Sequence, residues 1–119
     1  MENVKGLLSM QSGNVIKQIL KEFESAGTHG YEVDFKVLKS SDYGVPQSRE
    51  RVIVIGVRKD LAISPKFPEK ISKAEVTVQD AISDLPQIQA GEGCENMNYE
   101  LKPQSEYQKL MRKNSKSVF

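Results

Sequence analysis

The sequence predicts an α/β fold in which one helix packs on an antiparallel strand pair, followed by a mainly irregular and helical segment. Three observations predict it. An amphipathic stretch with helical spacing comes first, an alternating apolar and polar stretch follows at 31–37, and a β-branched run follows Arg51. The length of 119 residues suits one modest domain.

The first element is a helix that begins at Ser12 or Gly13 and stops at Gly27, a residue type common after helix ends. One face of this helix is apolar and comprises Val15, Ile16, Ile19, Leu20 and Phe23. Charged residues occupy the opposite face, so the helix is expected to pack against a sheet on one side only.

Two strands follow the helix. Strict alternation over 31–37 predicts a half-buried strand, whereas the unbroken apolar run 52–57 predicts a fully buried strand over 51–58. The turn between them spans 41–46, where Gly44 relieves backbone strain and Pro46 stops helix growth. A connection of this length favours antiparallel pairing of the two strands.

An alternating polar row leads into the second strand. In an extended chain, Gln47, Arg49 and Arg51 share one face, and Glu50 points the other way and makes an ordinary surface pair. Two guanidiniums and an amide beside a rigid sheet suit an anionic or carbonyl-rich ligand such as a nucleotide. The alternative that the residues leave open is a solvated strand end.

The second half changes in composition. Residues 59–75 contain two prolines and several lysines and predict an exposed connector. Thr77 with Asp80 predicts a capping box and a short helix. Residues 87–103 predict an irregular loop, 105–112 a last helix with Tyr107, Leu110 and Met111 on its packed face, and 113–119 a frayed end.

Composition excludes several functional classes. A net charge of +1 gives no global basic field of the kind expected from a self-sufficient DNA-binding module. With Cys94 as the single cysteine and His29 as the single histidine, neither an internal disulfide nor a zinc site is expected, and Cys94 is read as an incidental loop thiol. The sequence shows no signal peptide and no long apolar run, which predicts a cytoplasmic protein without a membrane segment.

Several segments resemble one enzyme family. DYGVPQSRERVIVIGVR, residues 42–58, resembles the Gln-x-Arg-x-Arg block of the DNA (cytosine-5) methyltransferases, and Glu2-Asn3-Val4 resembles that family's Glu-Asn-Val motif. Residues 78–86 are similar to the segment that leads into the target-recognition region, and 105–112 also resembles bacterial members. The resemblance covers nearly the whole chain, and the arginine block with its flanks is its most specific part.

The resemblance implies a fragment of a Rossmann-like S-adenosylmethionine-dependent methyltransferase fold. Residues 1–58 correspond to the C-terminal part of the catalytic domain, 59–75 to a connector, and 76–119 to the start of the target-recognition region. The family's glycine-rich donor loop and Pro-Cys nucleophile loop are not found in this sequence. The chain is therefore expected to carry no nucleophile and no cofactor-binding residue, and to be an internal or C-terminal piece that is inactive alone.

The same resemblance assigns roles to individual residues. Glu2 is the carboxyl group that assists at N3 of a flipped-out cytosine, and Arg51 stabilises charge at the cytosine O2. Arg49 pairs with the nucleophile loop or a DNA phosphate. Gln47 supports the geometry of the arginines, and Asn3 shapes the strand end. Tyr43 is expected to pack rather than to stack on a base.

Three functions remain open at this point: part of a DNA cytosine-5 methyltransferase, the small subunit of a naturally split methyltransferase, or a non-catalytic DNA-binding or interaction module. The resemblance implies S-adenosylmethionine as the cofactor of the complete enzyme, with none bound by this chain alone, and double-stranded DNA as substrate. The expected protein partner is a missing N-terminal half or a separate chain. Exposed strand edges also predict a homodimer of the isolated chain.

We predict that the purified chain does not methylate DNA with S-adenosylmethionine as donor, because its sequence holds neither a glycine-rich donor loop nor a Pro-Cys nucleophile. The measurement is incorporation of labelled methyl groups into mixed-sequence DNA. Incorporation above a blank without protein would contradict this expectation.

Overall fold

The computed structural model describes residues 1–71, 74–113 and 117–118. These residues form two compact units, which are described separately. The first unit contains residues 1–43 and 48–71, and the second contains residues 44–47 and the described residues from 74 onward.

A three-stranded sheet forms the centre of the first unit. Its strands are β1 (Glu2–Val4), β2 (Tyr31–Lys39) and β3 (Glu50–Arg58), in the order β1-β3-β2. Strand β3 is antiparallel to both neighbours, so β1 and β2 run parallel to each other. The predicted antiparallel pairing of the two long strands is confirmed, and the α/β class is confirmed with it.

One helix, α1 (Asn14–Ser25), covers one face of this sheet. It begins at Asn14 because Gln11, Ser12 and Gly13 have positive φ angles, which a helix cannot include. Its predicted apolar face is confirmed. Ile16 is buried with Leu7, Val52 and Val54, and Val15, Ile19, Leu20, Val33, Phe35 and Val37 pack around this core.

The burial of β3 corrects one prediction. The strand alternates instead of being fully buried: Val52 and Val54 face α1 and are 0% and 3% exposed, whereas Ile53 and Ile55 on the opposite face are only half-buried. Within the described residues, α1 covers only the Val52 face of the sheet. The β-branched run is thus explained by strand propensity as well as by burial.

The connector begins with a 3-10 turn, Lys59–Leu61, and then continues without helix or strand through residue 71. Most of its side chains are exposed, and Pro65 and Phe67 are half-buried. Residues 72 and 73 of the predicted connector lie outside the described residues. The division into 1–58, 59–75 and 76–119 remains a prediction.

The second unit contains two short helices, α2 (Val78–Ile82) and α3 (Glu106–Met111). Both have complete capping boxes, Thr77 with Asp80 and Ser105 with Gln108, so the predicted helix starts are confirmed. The pairing of β4 (Met97–Asn98) with β5 (Ser117–Val118) was not predicted, and it contradicts the expected fraying at 117–118. Residues 114–116 and 119 of that expected frayed end lie outside the described residues.

The packed face of α3 corrects a second prediction. Of the three residues predicted to pack, Tyr107 is half-buried, but Leu110 and Met111 are exposed, whereas Gln108 is 1% exposed. The side-chain oxygen Oε1 of Gln108 accepts hydrogen bonds from the backbone N–H groups of Gln104 and Ser105 at 2.5 and 3.2 Å. The side-chain nitrogen Nε2 of Gln108 donates to the Ser83 hydroxyl at 2.9 Å. A buried amide with these partners is satisfied, so hydrogen bonding rather than apolar spacing determines which side packs.

A buried ion pair lies beside this amide. Asp84 is 2% exposed, and its carboxylate accepts from Arg112 Nη1 at 2.9 Å. The same nitrogen donates to the Leu101 carbonyl oxygen at 2.8 Å, and the guanidinium carbon lies 3.6 Å from the centre of the Tyr99 ring. Arg112 therefore links the end of α3 to the segment after α2 and to the loop that precedes α3.

We predict that Arg112→Ala lowers the local stability of α3 by about 3 kcal/mol, because it leaves the Asp84 carboxylate buried without its counter-ion. The measurement is amide hydrogen exchange of α3 in the whole chain, which reports local opening even if the two units unfold separately. Lys109→Ala is the control. It removes an exposed pair with Glu106 and should cost less than about 0.5 kcal/mol. Equal protection in the two variants would contradict the assignment.

Candidate functional site

An ion pair joins the two residues that the sequence places at the centre of the site. Glu2 Oε1 lies 2.7 Å from Arg51 Nε. Strand pairing explains this contact, because Glu2 is opposite Ile53 and Val4 is opposite Arg51. Glu2 and Arg51 are therefore diagonal neighbours on the sheet face opposite α1, a separation that a long side chain spans.

Arg51 is held more firmly than Glu2. Its Nη1 also donates to the Glu50 carbonyl oxygen at 2.8 Å, so two of its three nitrogens are fixed. The Arg51 side chain is 26% exposed and the Glu2 side chain 54%. The pair is thus accessible from solvent, with the guanidinium seated on the strand and the carboxylate at the sheet edge.

Asn3 lies on the other side of β1. It is paired with Val52, on the face that α1 covers, and its side-chain oxygen accepts from the backbone N–H of Val4 at 2.8 Å. This bond is local to the end of β1, and the role of Asn3 in shaping the strand end stays a prediction. The alternation of the strand separates Asn3 from the Glu2–Arg51 pair.

Arg49 immediately precedes β3 and continues its pairing. The Arg49 carbonyl oxygen accepts from the Ser40 backbone N–H at 2.9 Å, and the Ser40 hydroxyl bonds to both backbone groups of Arg49 at 3.1 Å. By alternation Arg49 lies on the same face as Arg51. Its side chain is exposed and makes no ion pair within the described part of the chain.

Gln47 is not part of this extended row. Its backbone N–H donates to the Val45 carbonyl oxygen at 2.7 Å, which makes a tight turn around Pro46. Gln47 groups with the second unit, whereas Arg49 and Arg51 belong to the first. The predicted row of three side chains is therefore reduced to the two arginines, because the proline turn interrupts the extended backbone.

Glu50 confirms a smaller prediction. It makes a surface ion pair with Lys5, with 2.8 Å between Nζ and Oε2. The sequence did not predict Lys5 as the partner of Glu50, although Lys5 directly follows the Glu-Asn-Val segment. This pair joins the residue that follows β1 to the first residue of β3.

Among the described residues, the cysteine and the possible metal ligands form no second site. The exposed Cys94 donates its thiol hydrogen to the Asn96 carbonyl oxygen at 2.9 Å, far along the chain from the arginines. In the described ranges, no group of three or more His, Cys, Asp or Glu could hold a metal ion. None of the described helices has the length and apolar character needed to cross a membrane.

The fold and the site define an α/β segment that presents a carboxylate and an adjacent guanidinium from one face of a small sheet. The model of the C-5 cytosine-specific DNA methylase family matches residues 1–118. The chain belongs to this family, which confirms the resemblance read from the two motifs.

The chain is also similar to curated type II methyltransferases. The chain is 44% identical over 126 residues to the type II methyltransferase M.DdeI of Desulfomicrobium norvegicum, a match that covers 100% of this chain and 30% of the relative. It is 47% identical over 90 residues to M.BsuRI of Bacillus subtilis, covering 71% of this chain and 20% of the relative. It is 51% identical over 86 residues to M.FnuDI of Fusobacterium nucleatum, covering 71% of this chain and 24% of the relative. The chain thus spans less than a third of the length of these relatives.

We predict that Glu2→Gln changes the free energy of unfolding by less than about 1 kcal/mol, because an ion pair exposed to this degree contributes little to stability. Chemical denaturation of the chain and of the variant measures the difference. Val52→Ala is the comparison and should cost more than about 2 kcal/mol, since it opens a cavity in the core. A larger loss for Glu2→Gln than for Val52→Ala would show that the pair holds the sheet together.

Proposed function

We propose that this chain is the part of a DNA (cytosine-5) methyltransferase that supplies the carboxyl group and the guanidinium for the target cytosine. The observation that carries the proposal is the contact of Glu2 with Arg51 at 2.7 Å on one face of the sheet. Two motifs separated by almost fifty residues of sequence meet there, and family membership over residues 1–118 supports reading them together.

The strand order supports a Rossmann-like parent fold. Strands β1 and β2 are parallel and are connected through α1, and β3 is inserted between them in the opposite direction. The last three strands have this order in a parallel sheet that contains one reversed strand next to its edge strand. In the proposed fold, the outer edge of β1 pairs with a strand of the donor-binding half.

The chemistry of the pair fits the Watson–Crick edge of cytosine, which is hydrogen-bonded to guanine in the duplex and becomes accessible when the base is flipped out. A carboxyl group hydrogen-bonds to N3 and the exocyclic amine, and an adjacent guanidinium donates to O2. When a thiolate attacks carbon 6, negative charge develops on the ring, and a proton or hydrogen bond at N3 and a positive group at O2 both stabilise it. Glu2 and Arg51 would act in these two roles after the base has left the duplex.

The neighbouring residues would support this reaction without taking part in it. Arg49 is exposed on the same face and is suited to a DNA phosphate or to the loop that carries the nucleophile. Gln47 lies in the turn before the arginines, and Asn3 stabilises the end of β1. We assign to these three residues roles in geometry and substrate binding.

The rest of the enzyme would supply the missing parts. S-adenosylmethionine would provide the methyl group, and the thiolate nucleophile and the donor site would come from residues outside this chain, either from a preceding segment or from a separate subunit. Double-stranded DNA is the proposed substrate. Residues 1–58 would complete the catalytic domain, 59–75 would connect, and 76–119 would begin the target-recognition region.

A chimera tests the proposal. In the Desulfomicrobium relative, the aligned 126-residue segment is replaced by this chain, and transfer of labelled methyl groups to DNA is measured. Binding of S-adenosylmethionine by calorimetry checks that the chimera folds. A folded chimera that binds the donor and never methylates DNA would refute the proposal. Addition of this chain in trans to the remaining part of the relative tests the split arrangement.

In the active chimera, Arg51→Ala should slow single-turnover methylation by about 2–4 kcal/mol of transition-state stabilisation, with a smaller change in DNA affinity. Arg49→Ala should lose less. The matched control is Arg58→Ala, at the far end of the same strand, where the guanidinium pairs with Asp60 at 2.6 Å. If the Arg51 variant weakens only DNA binding, its assigned role in the chemical step is wrong.

A further inference from the structure

The turn between β2 and β3 makes a second set of contacts that the proposed chemistry does not use. This 3-10 turn, Ser40–Tyr43, bonds to the connector through two consecutive residues. The Asp42 carbonyl oxygen accepts from the Ile71 backbone N–H at 2.9 Å, and the Asp42 carboxylate pairs with Lys70 at 2.6 Å. The Tyr43 hydroxyl donates to the Pro68 carbonyl oxygen at 3.3 Å.

These contacts differ from incidental surface bonds in three ways. They involve three connector residues within one stretch of four, they include a backbone hydrogen bond, and Asp42 is only 20% exposed although Lys70 is largely in solvent. Asp42 raises the pKa of Lys70 through the hydrogen bond and its charge. Pro65 and Pro68 also restrict the backbone of the connector, so few contacts are needed to fix its path.

The same turn holds the start of the arginine row. Ser40, its first residue, bonds to both backbone groups of Arg49. One four-residue turn is therefore attached on one side to Arg49 and on the other side to residues 68–71. Only Ser41 separates Asp42, which bonds to the connector, from Ser40, which bonds to the backbone of Arg49.

We propose that Asp42 and Tyr43 are positioning residues that fasten the connector to the turn whose first residue is hydrogen-bonded to Arg49, so that residues 68–71 and the Arg49 backbone keep one arrangement when DNA is bound. This inference rests on the proposed function. A fastened connector reduces the conformational freedom that must be lost when DNA is bound productively. Its contribution is expected in the KM for DNA rather than in the chemical step.

The fastening itself is tested on the chain. Trypsin cleavage at Lys70–Ile71 is compared with cleavage at Lys66–Phe67 in the same molecule, which serves as an internal reference. The double variant Asp42→Ala with Tyr43→Phe should raise the rate at Lys70–Ile71 by roughly fivefold relative to the reference, as expected from the loss of an ordinary hydrogen bond and an exposed ion pair. Asp60→Ala, which removes an equivalent exposed pair with Arg58, should leave the ratio unchanged.

The positioning role is tested in the chimera. The double variant should raise the KM for DNA by roughly fivefold. The rate of single-turnover methylation at saturating DNA and the affinity for the donor should stay within about twofold of the parent chimera. The melting temperature should stay within the error of the measurement. Asp42→Lys combined with Lys70→Asp should restore the KM. Asp60→Ala is again the control.

The cleavage ratio tests the fastening of the connector, and the KM for DNA tests the positioning role. An unchanged cleavage ratio would overturn the fastening, and a changed ratio with an unchanged KM would overturn the positioning role. A fall in the single-turnover rate together with thermal stability would identify a merely structural role. A parent chimera that binds the donor but is inactive would refute the proposed function and the positioning role with it, and the cleavage ratio would still distinguish whether the connector is fastened.

Discussion

The pairing of β3 with a strand on each side is the constraint on which the first unit depends. Val52 is completely buried between α1 and the sheet, and the register on both edges follows from that burial. A slip of one residue between β1 and β3 would turn Glu2 toward α1 while Arg51 kept its face. The contact between the two charged groups is therefore a consequence of the apolar core and not an independent feature.

The energetics agree with this order of cause and effect. The Glu2–Arg51 and Lys5–Glu50 pairs are both partly exposed, and pairs of this kind contribute at most about 1 kcal/mol. Burial of Ile16, Val52 and Val54 contributes more, since each buried aliphatic side chain is worth about 1.5–3 kcal/mol. The scaffold can thus hold two charged groups in a fixed arrangement while both remain available to a ligand.

The sequence predicts those features that depend on near neighbours. The period of α1, the alternation of β2 and the capping box of α2 involve residues within four positions of one another. It fails where the deciding contact is distant. A uniform β-branched run does not reveal which face of β3 is covered, and the buried face of α3 depends on Ser83 and Asp84, 25 and 28 positions from their partners. The prediction for Gln47 also fails, for a local reason. Alternation places Gln47 in one row with the two arginines, but the turn at Pro46 interrupts the extended backbone before Arg49.

The exposure of the Glu2–Arg51 pair limits what it can do in this chain. In bulk water the attraction between charges a few ångströms apart is small, and so is their effect on charge developing in a substrate. The same two groups act more strongly once water is excluded around them. For the proposed reaction, that exclusion has to come from the flipped base, from DNA and from the residues that carry the donor site and the nucleophile. A carboxylate that is 54% exposed beside a better-held guanidinium is consistent with a half-site, in which the sheet provides the arrangement and the covering groups provide the low dielectric environment.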